Sequence, residues 1–192
     1  MSTTFEKLSL PGVILCRPRM FRDRRGYFAE CYRKELYAAN GVDREFVQVN
    51  QSFSHHGVVR GMHFQLRRPQ AKLVSVLAGH VYDVVVDVRH GSPTFGKWVG
   101  VELSSVNGEQ LFVPEGYAHG FCVLSENAHF MYQCSDYYVP GDEVGFHWDS
   151  AEVGIRWPIE NVVVSEKDAA LPRLADLPET QLPGLDGYGR RQ

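Results

Sequence analysis

The sequence predicts an all-β protein whose many short strands form a sandwich or barrel. The valine-rich run from Leu73 to Val88 indicates two strands broken at Gly79, the pattern of a tight hairpin. Further β-forming runs follow at short intervals, separated by turn sequences that contain glycine or proline. These runs are Val99 to Leu103, Gln110 to Val113, Gly120 to Leu124 and Phe130 to Cys134.

Helix signals are scarce, and only two short helices are predicted. Arg33 to Asn40 contains good helix formers and is followed by a glycine that suits a helix end. Ser165 precedes Asp168 by three positions, which is typical of a helix N-cap. After Pro172 the chain becomes rich in proline and polar residues, so we expect an extended C-terminal arm on the surface, over about residues 172–192.

Length, charge and cysteine usage limit the functional classes. The 192 residues are enough for one domain, 1–192, and no repeat or linker divides them. With 20 basic and 23 acidic residues, the net charge of -3 argues against a nucleic acid or an anionic membrane as partner. No apolar run has the length of a signal peptide or membrane span, so we expect a cytoplasmic protein. The four cysteines lack C-x-x-C spacing and are typical of small buried residues.

Polar side chains recur on single faces of several predicted strands. Successive side chains of a strand point to opposite faces, so residues two apart lie together. A buried polar group without a partner costs about 1–3 kcal/mol, and a set of such groups therefore favours a cavity that holds a polar ligand. The polar residues concerned are Gln48, Asn50, His63, Gln65, Lys72 and Tyr132.

Each candidate residue also has a plain structural explanation when it is taken alone. His63 would be a core histidine bonded to a backbone carbonyl, and Tyr132 a packed aromatic residue with its hydroxyl at the rim. Lys72 would be a solvated strand lysine, and Asp168 the acid of a helix cap. Only their combination favours a catalytic site.

Two segments resemble the two halves of the cupin signature. Pro114 to His119 fits the second half, P-x-G-x-x-H, whereas the first half normally brings two histidines one residue apart and a glutamate. The corresponding segment contains His63 but has Gln65 where the second histidine would stand. At most two imidazoles remain, one short of the usual three protein ligands of a catalytic metal, so we predict that no metal is bound.

Eight segments between about Leu10 and Leu171 match one enzyme family in their order and combination. They are Asp23 to Glu30, Gln48 to Asn50, Arg60 to Gln65, Pro69 to Lys72, Asp87 to Trp98, Pro114 to Phe121, Met131 to Ser135 and Ser165 to Ala170. In this combination the chain resembles the dTDP-4-dehydrorhamnose 3,5-epimerase family. The resemblance implies a cupin fold, a double-stranded β-helix or jelly roll with a few short helices.

The resemblance implies an epimerase without a cofactor, which inverts C3 and C5 of dTDP-4-dehydro-6-deoxy-D-glucose to give dTDP-4-dehydro-L-rhamnose. Inversion next to a ketone requires a base, an acid on the opposite side and a group that stabilises the enolate oxygen. By resemblance, His63 is the base and Asp168 orients its ring. Tyr132 is the opposing acid, and Lys72 lies near the C4 oxygen of the sugar.

The resemblance also implies a nucleotide-sugar-binding set and a homodimer. In such a dimer the N-terminal segment, about residues 1–50, packs on the partner, and Arg25 to Glu30 acts on the neighbouring subunit's site. Arginine suits a diphosphate because its planar fork donates two hydrogen bonds. The binding residues implied are Arg25, Glu30, Gln48, Asn50, Arg60, His119, Tyr138, Glu143 and Lys167.

Three alternatives remain open from the sequence. Relatives that invert only C3 or only C5 of a related nucleotide 4-keto sugar share much the same catalytic residues. A sugar-binding module or a metal-dependent cupin would share the fold, as would a ketoisomerase that moves the carbonyl between C4 and C3. The matches at Tyr132 and Asp168 argue against the ketoisomerase.

Overall fold

The computed structural model describes residues 3–185, and most of the ordered elements are strands. The strands are β1 (Thr4–Lys7), β2 (Ile14–Arg17), β3 (Met20–Asp23), β4 (Gly26–Ala29), β5 (Gln48–His55), β6 (Val59–Gln65), β7 (Lys72–Ala78), β8 (His80–Asp87), β9 (Trp98–Ser104), β10 (Gln110–Val113), β11 (Tyr117–Val123), β12 (Asn127–Cys134) and β13 (Glu143–Gly145). The helices are α1 (Lys34–Ala38) and α2 (Glu166–Ala169).

Two large antiparallel sheets make up the body of the fold. One has six strands in the order β1-β2-β10-β7-β12-β5, and the other has five in the order β13-β6-β11-β8-β9. The β3–β4 hairpin forms a separate two-stranded sheet. The all-β class that the sequence predicts is confirmed.

The apolar core lies between the two large sheets. It combines side chains such as Val74 and Leu111 from the six-stranded sheet with Val85 and Val123 from the five-stranded sheet. Phe121 of β11 stacks on Phe130 of β12, with ring centroids 4.1 Å apart. These two rings also border the cavity described below, so they separate the apolar interior from its polar end.

Each sheet is covered on its outer side by a further apolar cluster. Tyr37 of α1 is fully buried against the six-stranded sheet and donates a hydrogen bond to Oε1 of Gln110 at 2.6 Å. On the five-stranded sheet, Phe146 packs with Leu174 and Leu177 from the C-terminal stretch. That stretch, expected to be an extended surface arm, instead contains two short 3-10 turns, and Leu174 in the first turn and Leu177 after it are buried. Residues 186–192 lie outside the described range.

The predicted hairpin at Gly79 is wrong, although both of its strands exist. β7 pairs with β10 and β12, whereas β8 pairs with β9 and β11 in the other sheet. Gly79 has a φ of +89°, and a Cβ there would lie 2.2 Å from the carbonyl oxygen of Asn127. The chain therefore turns a corner at Gly79 and passes from one large sheet to the other, instead of folding back within one sheet.

Both predicted helices are present, and each is shorter than two full turns. α1 occupies the centre of the predicted Arg33 to Asn40 segment. The predicted N-cap is also present, because the Oγ of Ser165 accepts the backbone N–H of Asp168 at 3.1 Å. Within residues 3–185 there is no helix whose length and apolarity would suffice to cross a bilayer.

A buried carboxylate organises the turn that follows β8. Asp87 has no solvent exposure and accepts hydrogen bonds from Arg89, Ser92 and Thr94, at 2.6–2.9 Å. Burial raises the pKa of Asp87, but these hydrogen bonds more than offset it and hold the pKa below its usual value. Arg89 also donates to Tyr117 of β11 at 2.7 Å, which ties the turn to the sheet.

We expect Asp87→Ala to lower the free energy of unfolding by about 3–5 kcal/mol, because it removes the buried carboxylate that accepts hydrogen bonds from the partly buried guanidinium of Arg89 and from two hydroxyls. The ionised carboxylate stabilises the fold above its unfolded pKa, so the difference from wild type should shrink as the pH falls below about 4. Urea unfolding at several pH values measures both effects. The matched control is Asp149→Ala, at an exposed aspartate, which should change stability by less than about 0.5 kcal/mol.

Candidate active site

A cavity of about 340 Å³ lies between the two large sheets, at the end where polar side chains replace the apolar core. This volume is within the usual range for small-molecule sites. Strands β6 and β11 line one wall, β7 and β12 line the facing wall, and residues of α2 complete it. The predicted site residues that line it are Arg60, His63, Lys72, His119, Tyr132, Tyr138, Glu143, Lys167 and Asp168.

His63 and Asp168 form a hydrogen-bonded pair in one wall. The Nε2 of His63 lies 2.8 Å from Oδ1 of Asp168, which is 4% exposed. Burial raises the pKa of Asp168, but His63, the N–H of Gly61 at 3.4 Å and the charge of Lys167 more than offset this and lower the pKa overall. An ionised Asp168 accepts a proton-bearing Nε2, which leaves the lone pair of His63 on Nδ1.

The fold brings this pair together across 105 positions of the chain. The segment before α2 is fastened to the start of β6, where the N–H of Val59 donates to the carbonyl of Val163 at 2.9 Å. The close fit around the imidazole depends on Gly145, because a Cβ there would lie 2.9 Å from Cδ2 of His63. The ring of His63 is therefore fixed from two sides, by a carboxylate and by a backbone that carries no side chain.

Tyr132 and Lys72 lie on the facing wall. Tyr132 on β12 is paired in register with Asn50 of β5 and Val74 of β7, which confirms the shared face predicted from strand alternation. The Nζ of Lys72 lies 5.8 Å from the centre of the Tyr132 ring. Burial raises the pKa of the Tyr132 hydroxyl and lowers the pKa of Lys72. At neutral pH the cavity thus holds a protonated phenol on the wall that faces His63.

A second imidazole–carboxylate pair lies beside the first. His119 of β11 is directly opposite His63 in the register, and its Nε2 lies 3.0 Å from both carboxylate oxygens of Asp83 on β8. Burial raises the pKa of Asp83, although the charge and hydrogen bond of His119 oppose the rise. Asp83 is not among the site residues predicted from the sequence, where its signal is a carboxylate inside the otherwise apolar run of β8.

Charged and aromatic side chains at the more exposed part of the cavity could hold a polyanion. The Nε of Arg60 donates to the Oγ of Ser54 at 2.9 Å, which fixes the guanidinium on β6. Lys167 forms a salt bridge with Glu143, and this contact raises the pKa of the lysine. Tyr138, which is 47% exposed, has its N–H bound to Oε1 of Gln48 at 2.9 Å.

Four of the residues predicted to bind ligand do not line this cavity. Gln48 and Asn50 are next to it on β5, where their side chains hydrogen bond to each other at 3.0 Å. Arg25 is in the β3–β4 hairpin with an 83% exposed side chain, and its partner is Asp23. Glu30 follows the hairpin and pairs with Arg33 at 3.5 Å.

The imidazoles that line the cavity have carboxylate partners within the fold. Nε2 of His63 and Nε2 of His119 are each engaged by a carboxylate. In the part of the chain that the structure describes, no cluster of three or more histidine, cysteine, aspartate or glutamate side chains is arranged to hold a metal ion.

We expect Lys72→Met to raise the free energy of unfolding at pH 7 by about 1 kcal/mol, because it removes a charge whose burial costs stability. The lowered pKa of Lys72 means that the folded state disfavours the charged form. The gain should therefore vanish as the pH rises above about 10.4, where the unfolded lysine is also neutral. Lys34→Met, at an exposed lysine of α1, is the control, and a loss of stability in Lys72→Met would contradict the assignment.

Sequence relatives of the chain share one description. The model of the family described as dTDP-4-dehydrorhamnose 3,5-epimerase matches residues 7–176. The enzyme of that name from Methanothermobacter thermautotrophicus is 46% identical over 167 residues, which cover 85% of this chain and 90% of the relative.

Solved structures agree with this description. The Legionella pneumophila dTDP-6-deoxy-D-glucose-3,5-epimerase, in complex with dTDP-4-keto-L-rhamnose, has a TM-score of 0.91 and 44% identity, covering 95% of this chain and 98% of its own. A 3'-monoepimerase from Streptomyces bikiniensis, in complex with dTDP-quinovose, has a TM-score of 0.84 and 35% identity, covering 92% and 91%. The predicted cupin-type architecture is confirmed, and the chain belongs to the dTDP-4-dehydrorhamnose 3,5-epimerase family.

Proposed function

We propose that the protein inverts C3 and C5 of dTDP-4-dehydro-6-deoxy-D-glucose and so produces dTDP-4-dehydro-L-rhamnose, without a cofactor. The observation that carries this proposal is the placement of a histidine–carboxylate pair and a tyrosine hydroxyl on facing walls of one cavity. Inversion needs proton removal on one face of the sugar and proton delivery on the other. The solved complex of the Legionella relative with dTDP-4-keto-L-rhamnose supports the choice of substrate.

Proton removal is assigned to His63. Its Nδ1 takes the proton from the carbon next to the C4 ketone, and the electron pair of the C–H bond moves into an enolate. Asp168 remains ionised because its pKa is lowered, so it stabilises the imidazolium that forms. The ammonium of Lys72 stabilises the charge on the enolate oxygen. A preorganised cation stabilises such a charge most strongly in a site shielded from water.

Proton delivery to the opposite face is assigned to Tyr132. The raised pKa of its hydroxyl keeps the group protonated at neutral pH. Donation to the carbon leaves a phenolate, which the nearby ammonium of Lys72 stabilises. Exchange with solvent then returns a proton to Tyr132 and removes one from His63, so that the same pair can invert the second carbon.

The nucleotide diphosphate is assigned to the more exposed part of the cavity. Arg60 and Lys167 supply positive charge to the phosphates, since hydrogen bonds between ions are about twice as strong as neutral ones. His119 and Glu143 offer hydrogen bonds, and Tyr138 offers an aromatic face to the base. Gln48 and Asn50 hold the adjoining wall in place.

A second candidate is inversion at C3 alone. The Streptomyces bikiniensis relative is a 3'-monoepimerase with the same overall fold. Base and acid are the same in both reactions, so the number of centres inverted depends on how long the first product stays bound and how its ring can turn. Proton exchange at each carbon distinguishes the two candidates.

We further propose that the chain acts as one domain, 1–192, in a cytoplasmic homodimer whose partner supplies Arg25 and Glu30 to the site. The β3–β4 hairpin exposes Phe28 by 71% and Tyr27 by 53%, and neighbouring exposed aromatic rings are typical of a surface that another protein covers. Contact with a second copy would cover these rings and bring the exposed guanidinium of Arg25 to a phosphate. All four cysteines are free, which suits a reducing compartment.

We expect His63→Asn and Tyr132→Phe to fail in different ways in heavy water. His63→Asn should slow deuterium uptake at both C3 and C5 by about 10²–10⁴-fold, because no base removes the proton. Tyr132→Phe should still take up deuterium at the face of His63 while inversion is lost. Proton NMR of dTDP-4-dehydro-6-deoxy-D-glucose, incubated with enzyme and a chelator, follows exchange and configuration together.

The controls for this experiment are the same replacements outside the cavity. His129→Asn and Tyr82→Phe change partly buried residues on the outer faces of the two sheets and should behave as wild type. Rapid exchange by His63→Asn, or full inversion by Tyr132→Phe, would show that the roles are misassigned. Wild-type exchange at C3 alone would favour the monoepimerase, and activity that the chelator abolishes would favour a metal-dependent cupin.

We expect Arg25→Ala and His63→Asn to complement each other in a mixed dimer. If Arg25 acts on the neighbouring site, one of the two sites in the heterodimer has both native residues. Activity at substrate concentrations below KM should then reach about half that of wild type. Coexpression with two different affinity tags isolates the heterodimer for the assay. Activity no higher than half that of the Arg25→Ala homodimer would place Arg25 on its own subunit's site.

A further inference from the structure

Gln65 stands where a metal-binding cupin has its second histidine, and the proposed chemistry gives it no role. The residue ends β6 and is 5% exposed. Its side chain makes three hydrogen bonds, and all of them go to the backbone of two loops. Nε2 donates to the carbonyls of Arg68 and Tyr137, at 2.7 and 3.2 Å, and Oε1 accepts the N–H of Val139 at 2.7 Å.

These hydrogen bonds hold the backbone on both sides of Tyr138. The carbonyl of the preceding residue and the N–H of the following residue are both held by Gln65, while the N–H of Tyr138 itself is held by Gln48 at 2.9 Å. Tyr138 is 47% exposed, so packing alone fixes its ring weakly. Its position therefore depends on its backbone, and the backbone depends on the amide of Gln65.

The carboxylate of Asp142 holds the other side of the same loops. Asp142 accepts the N–H groups of Arg67 and Arg68, at 2.8–3.1 Å, and its own carbonyl accepts the N–H of Leu66. The fold of the loops is thus set by more than one residue. Loss of the Gln65 amide should loosen the segment around Tyr138 without unfolding the strands that carry His63 and Tyr132.

We propose that Gln65 is a positioning residue that fixes the ring of Tyr138 at the cavity and thereby sets the affinity for the nucleotide, with no part in proton transfer. This inference rests on the proposed function, in which Tyr138 contacts the nucleotide. The residue that would be a metal ligand in other cupins serves here to hold the binding surface for the base.

The test is a double-mutant cycle with dTDP as the ligand. By calorimetry, Tyr138→Ala should weaken dTDP binding by about ten-fold, the usual effect of losing an aromatic contact with a base. Gln65→Leu, which removes the amide at similar size, should weaken it by about five-fold or more, and the double variant should be no weaker than Tyr138→Ala. In deuterium exchange, KM should rise for Gln65→Leu while kcat stays within about three-fold of wild type.

Two further variants keep the test decisive. Gln110→Leu removes another buried glutamine, which bonds to Ser75 and Tyr37 away from the cavity, and should leave dTDP affinity unchanged. Gln65→Glu keeps the acceptor for Val139 and loses both donors. Its deficit in dTDP affinity, relative to wild type, should narrow at low pH, where the protonated carboxyl regains one donor. This variant gives the answer if Gln65→Leu does not fold.

The outcomes separate the inference from the function on which it rests. If Tyr138→Ala weakens dTDP binding but the Gln65 variants bind as wild type, the positioning role is overturned and the nucleotide site stands. The role is also overturned if Gln65→Leu weakens binding equally with and without Tyr138, or lowers kcat with KM unchanged. Unchanged affinity in Tyr138→Ala would overturn both the nucleotide placement and the role of Gln65.

Discussion

The cost of removing charge from water is the constraint on which this site depends. The space between two β-sheets is a poor environment for ions, and an unpaired buried charge costs several kcal/mol. The buried carboxylates of Asp168 and Asp83 are each matched by an imidazole, yet their pKa values move in opposite directions. Asp168 has an additional N–H and a nearby ammonium and is lowered, whereas Asp83 has only His119 and a more distant lysine and is raised. The two pairs therefore differ in how readily their carboxylates ionise, although both contain the same two residue types.

Much of this arrangement could be predicted from the order of residues, because strand alternation is a local property. That Phe130 and Tyr132 share a face of β12 follows from the two-residue period alone, and both side chains line the cavity. The N-cap at Ser165 is equally local. The pairing of His63 with Asp168 came only from family resemblance, since no spacing rule joins residues so far apart.

The errors have a common physical origin in tertiary contacts. Gly79 gives the same local signal for a hairpin as for a corner, and only the pairing of β8 with β9 and β11 shows that the chain changes sheets. The sequence after Pro172 predicts a polar arm, because the leucines in it show no pattern of burial on their own. Leu174 and Leu177 are buried only because they cover the outer face of the five-stranded sheet. Asp83 was overlooked because one carboxylate in an apolar strand reveals its partner only when β8 lies beside β11.

The position of Asp168 in the chain also bears on how the protein is made. The strands of both large sheets are complete by Gly145, whereas α2 begins 21 residues later at Glu166. A polypeptide emerging from the ribosome can therefore assemble both walls of the cavity while the imidazole of His63 still lacks its carboxylate. Only the arrival of the segment fastened to β6 through Val163 orients that ring. The order of synthesis thus places the pairing of His63 with Asp168 after the strands of both large sheets have been made.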